Sequence, residues 1–318
     1  MFYARLLFLC ALFAAPAVRA AVLPGMNAFI DEMVSRHHFV RAELQQAFAV
    51  AQYRPVVLKI MSAPFTKKPW PDYRAAVVNQ RNLQRGRIFW QQNQAVLARA
   101  EAEYGVPAEI VVALLGVETF YGSNTGRFST LDVLVTLAFD YPRRAEFFRG
   151  ELEQYLLLAR EQEFDLLSVR SSYAGALGIP QFMPSSYRKY AVDFDGDGKI
   201  DLLHSAADAI GSVAHYLQQS GWKKGALFAV PARVERPVVP NDPMVERSLS
   251  DWQALGVTPA EPLSAAAALP ARLKDFSTAD APEFWLTFAN FHALTAYNSS
   301  SYYAMAIYQL SLALRQRA

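Results

Sequence analysis

One stretch constrains the fold more than any other: Pro107-Ala108-Glu109-Ile110-Val111-Val112-Ala113-Leu114-Leu115-Gly116-Val117-Glu118-Thr119-Phe120-Tyr121-Gly122. Proline at the first turn and glycine at the far end bracket a helix over 108–120. Val111, Leu114, Leu115 and Glu118 fall at i, i+3, i+4 and i+7, so a carboxylate shares one stripe with three aliphatic side chains. A charge on such a stripe is costly unless it is paired or protonated. Glu118 also lies in the last turn, where the helix dipole disfavours negative charge. Both effects raise its pKa, which suits a general acid working near neutral pH. The same position suits a carboxylate bridged to a buried Arg or Lys, and the pattern leaves the two readings open.

Helical periodicity runs through most of the chain up to Trp222. It predicts helices over 27–33 and 41–51 and, after a proline-marked loop at 64–71, one long helix over 73–104. Further helices are expected at 131–139, 143–163 and 205–220. Between Gly225 and Leu294 the texture changes: Pro231, Pro237, Pro240 and Pro243 punctuate β-type runs at 227–230, 271–276 and 283–291. A helix returns at 302–316. The chain therefore reads as mainly α, within an α+β class. Its expected segments are a leader at 1–20, an N-terminal helical region at 21–85, a core at 86–222, a small β-rich insertion at 223–294 and a C-terminal helix at 295–318 that rejoins the helical body.

The leader has Arg5 near its start, an apolar run over 6–13 and the exit Val18-Arg19-Ala20. That is a secretory signal pattern, too short for a stable membrane span. Cys10 raises the question of a lipid anchor, but bulky Leu9 precedes it and the apolar run before it is short. A soluble periplasmic protein is expected. Cleavage after Ala20 removes the only cysteine, so no disulfide can form. Arg5 and Arg19 leave as well, so the 31 basic residues fall to 29 against 29 acidic ones. A neutral chain offers no broad footprint for nucleic acid or acidic lipid. A monomer with a large core is expected.

A second constellation is Arg170-Ser171-Ser172-Tyr173-Ala174-Gly175-Ala176-Leu177-Gly178-Ile179-Pro180-Gln181-Phe182-Met183-Pro184-Ser185-Ser186-Tyr187. Its small residues permit close approach of backbone to a ligand, while Ser172, Gln181 and the tyrosines offer neutral hydrogen-bonding groups of the kind that bind sugars. A tight packing loop would look similar. A third is Asp193-Phe194-Asp195-Gly196-Asp197-Gly198-Lys199-Ile200-Asp201. It places oxygen donors at loop positions one, three, five and nine, a turn glycine at six, the Lys199 carbonyl at seven and apolar Ile200 at eight. This is the front of a calcium loop of EF-hand type. At position twelve His204 replaces the bidentate Glu, and imidazole is a poor ligand for a hard cation. A metal-free Asp-Gly turn is the alternative.

The Gly-Val-Glu-Thr-Phe-Tyr-Gly segment around Glu118 and the Ser-Ser-Tyr-Ala-Gly-Ala-Leu-Gly-Ile-Pro-Gln-Phe-Met-Pro-Ser-Ser-Tyr run resemble the membrane-bound lytic transglycosylase B family, glycoside hydrolase family 103. Tyr141-Pro142-Arg143-Arg144, the loop from Asp193, Ala209-Ile210-Gly211-Ser212 and Ala296-Tyr297-Asn298 add to the resemblance, which spans about residues 27–315. It implies a lysozyme-like helical core and cleavage of peptidoglycan between N-acetylmuramic acid and N-acetylglucosamine, leaving 1,6-anhydromuramic ends. By the same resemblance Glu118 is the single acid and base. Tyr73, Ser172, Gln181, Tyr216, Tyr297, Asn298 and Tyr303 line the cleft, and Arg143 and Arg144 lie near the peptide stem. A structural calcium is held by Asp193, Asp195, Asp197, the Lys199 carbonyl and a later carboxylate, Asp208. Two other readings remain beside it: a hydrolase on the same scaffold, with Asp132 or Asp140 as a second carboxylate, and a non-catalytic peptidoglycan-binding protein.

Overall fold

A computed structural model describes residues 23–62, 68–242, 245–264 and 267–316. The expected leader with Cys10 lies outside the described residues. Helices Met26–His37 (α1), Arg41–Val50 (α2), Pro55–Ser62 (α3), Trp70–Val77 (α4), Gln80–Gln92 (α5), Gln94–Tyr104 (α6) and Ala108–Thr119 (α7) form the first half of the body. Thr130–Asp140 (α8), Ala145–Glu161 (α9), Pro184–Tyr190 (α10) and Ala206–Gln219 (α11) follow. Leu249–Ala254 (α12) belongs to the sheet region, and Ala289–Thr295 (α13) and Ser301–Arg315 (α14) return to the body. The mainly helical class expected from the sequence is the one observed, with a small sheet.

The helix expected over 73–104 is instead three, α4, α5 and α6, and two asparagines cause the breaks. Asn79 is extended (φ −140°, ψ 165°) and its side chain accepts from the Asn82 amide, restarting the helix. Asn93 leaves the helical region (φ −117°, ψ 21°) while its side-chain amide donates to the Phe89 carbonyl at 2.8 Å. Both use the short polar side chain to compete with the backbone ladder. The expected strand over 283–291 is a strand only at Phe284–Thr287, and α13 follows it. There Asn290 bonds to both the N–H and the C=O of Lys223, anchoring the returning chain to the helical body.

Helix α7 is the axis of the fold. Ile110 to Gly116 are all buried, and α14, α5, α6 and α11 pack around them. Gly116 admits this crowding, since a Cβ there would sit 2.6 Å from the Tyr121 ring. The tyrosine is wedged between α5 and α7 with its hydroxyl donating to the Asn82 carbonyl at 2.9 Å. Beside this core, α8 and α9 pack along each other and carry the two-stranded pair Phe128–Ser129 (β1) and Arg170–Ser171 (β2).

Strands Ala229–Val234 (β3), Arg247–Ser248 (β4), Val257–Pro259 (β5), Pro270–Asp275 (β6) and Phe284–Thr287 (β7) form one antiparallel sheet in the order β4-β6-β7-β3-β5. Trp252, Val257, Ala271, Leu273, Leu286 and Phe288 fill a core of its own. The sheet is pinned to α14 by Phe228, whose ring stacks on Tyr308 at 4.5 Å, and to α4 by Glu283, which accepts from the Trp70 indole at 3.0 Å. Among the described residues no helix is long and apolar enough to cross a membrane.

Candidate active site

The end of α7 is abrupt. Phe120, Tyr121 and Gly122 all adopt left-handed backbone (φ 53°, 61° and 80°), so the helix stops at Thr119, one residue before the expected bound. Glu118 therefore lies on the last helical turn, as expected, with part of its surface open to a groove of about 780 Å³. Glu118, Asn124, Arg127, Phe128, Ser172, Tyr173, Gln181, Tyr297 and Asn298 line that groove.

The Glu118 carboxylate accepts a hydrogen bond from the Tyr303 hydroxyl, delivered by α14 from 185 residues along the chain. Burial against the aliphatic stripe pushes its pKa up to about 7, and the Tyr303 hydrogen bond opposes only part of that shift. Among the described residues no cation pairs with it, so the buried ion-pair reading falls away. Burial and the Glu118 charge push the phenols of Tyr303 and Tyr297 well above their ordinary range, and Tyr73 is raised for the same two reasons. These tyrosines therefore stay protonated donors next to a carboxyl that titrates near neutrality.

The tyrosines form a packed wall. Tyr297 lies parallel to Tyr303 at 6.4 Å and edge-on to Tyr216 at 4.9 Å, and its hydroxyl donates to the Pro180 carbonyl. Tyr216 donates to the Ala296 carbonyl at 2.9 Å, and Tyr73 reaches Tyr302 rather than the groove lining. The Ser172 hydroxyl accepts from the amides of Ala174 and Ala176, which folds 172–176 into a tight loop. Gln181, itself left-handed (φ 54°), spends its side-chain amide on the carbonyls of Thr125 and Gly178 at 3.0 Å each. Its carbonyl oxygen is the group it can offer the groove. Gly178 (φ 68°) allows the strip to touch the acidic loop, since a Cβ there would meet the Leu202 carbonyl at 2.2 Å.

Arg143 and Arg144 occupy a 3₁₀ turn, Pro142–Arg144, and do not line the groove. The Arg144 guanidinium lies over the Phe147 ring at 4.0 Å. Asp132 is buried in an ion pair with Arg54 at 2.7 Å and accepts from the Gln52 amide at 2.8 Å. Asp140 accepts from the Tyr53 hydroxyl. Both serve the α3–α8 packing, so among the described residues lining the groove Glu118 is the only carboxylate. Asn124, Arg127 and Phe128 line the groove without a motif signal in the sequence. Tyr173, one of the tyrosines expected to bind from the Ser-Ser-Tyr-Ala-Gly run, does line the groove, but nothing local marks Asn124 or Arg127 beyond a Gly-rich stretch after a helix.

In the acidic loop, carboxylate oxygens of Asp193, Asp195 and Asp197 come within 4.8 Å of one another. Amides of the loop turn onto them: Gly196 and Gly198 donate to Asp193 at 2.7 and 2.8 Å, and Lys199 donates to Asp197 at 2.8 Å. This donor set, hard oxygens on a preformed turn, fits a calcium ion. Asp208 stands behind that cluster rather than in it: its buried carboxylate accepts from the amides of Phe194 and Asp201 at 2.7 Å each. Asp201 is turned to the Leu203 and His204 amides and the His204 ring.

Comparison with known proteins gives the family. The transglycosylase SLT domain family matches residues 22–312. Membrane-bound lytic murein transglycosylase B of Escherichia coli K12 is 44% identical over 301 residues, covering 92% of this chain and 82% of that protein. Structures of the Escherichia coli lytic transglycosylase Slt35, one in complex with bulgecin A and one with calcium, superpose with a TM-score of 0.87 at 43% identity, covering 93% of this chain and 94% of that one. SltB3 of Pseudomonas aeruginosa in complex with NAG-NAM-pentapeptide gives 0.82 at 30% identity, over 91% of this chain and 78% of that one. The chain belongs to the transglycosylase SLT domain family. Its relatives are lytic murein transglycosylases, peptidoglycan-cleaving lyases, and it is an enzyme of that class.

Proposed function

We propose that the enzyme cleaves the β-1,4 bond between N-acetylmuramic acid and N-acetylglucosamine without consuming water, with Glu118 as its only acid and base. The observation that carries this reading is a lone carboxyl in the groove whose pKa is raised to about 7. Protonated Glu118 gives its proton to the glycosidic oxygen as the C1–O bond breaks. The muramic C6 hydroxyl then closes onto C1 and gives its proton to the Glu118 carboxylate, which regenerates the acid and leaves a 1,6-anhydro end. A retaining or inverting hydrolase needs two facing carboxyl groups, and Asp132 and Asp140 are committed elsewhere. A pKa near the working pH lets one group serve in both directions.

In this reading Ser172, Gln181, Tyr297 and Asn298 hold sugar hydroxyl and N-acetyl groups, Tyr303 orients Glu118, and Tyr73 and Tyr216 support the wall. Arg143 and Arg144, at the side of α9, meet carboxylates of the peptide stem. Asp193, Asp195, Asp197 and the Lys199 carbonyl hold a calcium ion, with Asp208 bracing the loop. Calcium supplies rigidity to the chain between α10 and α11, and no step of the reaction needs it. We place the enzyme in the periplasm, exported by the leader at 1–20; absence of the mature protein from the periplasmic compartment would overturn that placement.

Mass spectrometry of products released from purified sacculi tests the central reading. Products lighter by one water per cleaved bond support it, and reducing-end products overturn it in favour of hydrolysis. Glu118→Gln should lower turnover by at least about a thousandfold, within the range that acid–base groups contribute, while the protein stays folded.

A further inference from the structure

The residue after Glu118 has no part in the proton transfers, yet it is buried to 1% exposure with a hydroxyl engaged in two directions. Thr119 Oγ1 accepts from the Gly122 amide at 2.9 Å and donates to the Ile179 carbonyl at 2.8 Å. The Leu115 carbonyl, at 3.4 Å, is the weaker alternative for its single proton. The Thr119 carbonyl accepts from the Asn124 amide at 2.9 Å. One residue therefore pins the left-handed turn that ends α7 and ties it to the strip 179–181.

That strip is a hub of hydrogen bonds along the wall that contains Tyr297. Pro180 offers its carbonyl to the Tyr297 hydroxyl, Gln181 reaches the Thr125 carbonyl, and the Ile179 amide donates to the Leu202 carbonyl of the acidic loop at 2.8 Å. The Thr119–Ile179 hydrogen bond is the direct side-chain link from the residue beside Glu118 to this hub. Without it, α7 could shift along the wall while each piece kept its own internal bonds.

We infer that Thr119 is a positioning residue for the reaction: its hydroxyl sets the Glu118 carboxyl against the Tyr297–Gln181 wall by bridging Gly122 and Ile179. The inference rests on the reading of Glu118 as acid and base. Thr119→Val keeps the shape and removes both bonds. Thr119→Ser keeps both bonds and loses only a methyl group.

The test is steady-state turnover of soluble glycan strands as a function of pH, per mole of folded protein, for the wild type and both variants. Thr119→Val should lose about 10- to 100-fold in kcat with KM nearly unchanged, as a misplacement of the reacting group by about an ångström does. Its basic pH limb should also move to lower pH, because a displaced Glu118 regains water. Thr119→Ser should restore both kcat and the limb. If Thr119→Val does not accumulate folded, Thr119→Cys, with its smaller and weakly donating thiol, carries the same readout. Unchanged kcat and pH limb in the Val or Cys variant would overturn the inference. So would a loss shared equally by the Ser variant, which would mean that packing alone matters. Wild-type enzyme that is inactive, or Glu118→Gln that remains active, would instead bring down the proposed function itself.

Discussion

At the scale of the residue, Glu118 is held in a state that folding alone would not choose. Its pKa is about 7 in the folded protein against an ordinary 4.5, so the folded state binds the proton more tightly than the unfolded one. The contribution to stability is therefore unfavourable and grows as pH rises from about 4.5 to about 7. Glu118→Gln is expected to stabilise the protein by roughly 1–3 kcal/mol at pH 8, discounted for the open side of the carboxyl, and by less than about 1 kcal/mol at pH 5. Paired chemical denaturation curves at the two pH values check this. The acid role proposed for Glu118 requires the proton, so turnover should fall as pH rises through about 7. Tyr303 donates to Glu118 and lowers its pKa. Tyr303→Phe should therefore move the basic limb of the pH–rate profile upward, and a limb that stays put or moves down would show that the hydroxyl does not tune the acid.

At the scale of the element, the acidic loop is a turn already shaped by its own amides. Its three carboxylates converge at the outer surface while Asp208 closes the inner side. Adding calcium should raise the melting temperature, and Asp195→Ala should abolish that rise with little change in the metal-free melt. A calcium response that survives in Asp195→Ala would place the ion elsewhere. This loop and α7 are the elements most legible in the sequence, because both declare themselves by short-range spacing: Asp at alternate positions, aliphatics three and four apart. The breaks at Asn79 and Asn93 are less legible, since an asparagine inside a helical pattern ends the helix only when its side chain finds a backbone partner. The groove lining divides the same way. Ser172 and Gln181 stand in a conspicuous run, whereas Asn124 and Arg127 reach the groove only because the turn after α7 throws the chain across it. Asp208 was expected as a metal ligand from family resemblance, and its buried role behind the loop depends on the packing of α11, which no local pattern encodes.

At the scale of the whole molecule, two bodies of structure meet on α14. Its inner face packs on α7, and Tyr308 stacks beneath the sheet on Phe228. The periodicity of 302–316 predicts the helix, but not that its first turn supplies the hydrogen bond to Glu118. That pairing spans 185 residues, so closing the site demands a contact of high sequence separation. On refolding from denaturant, turnover is expected to return with the slowest phase seen by tyrosine fluorescence, after helical circular dichroism has recovered. Recovery of activity together with the early helical signal would contradict this.

The Tyr303–Glu118 pairing thus makes completion of the site depend on the docking of α14. A chain that has made α7 but not α14 holds Glu118, the acid proposed above, without the Tyr303 hydroxyl that donates to it. On the role proposed for Glu118, the site is complete only when α14 has docked on α7, bringing together two residues 185 positions apart.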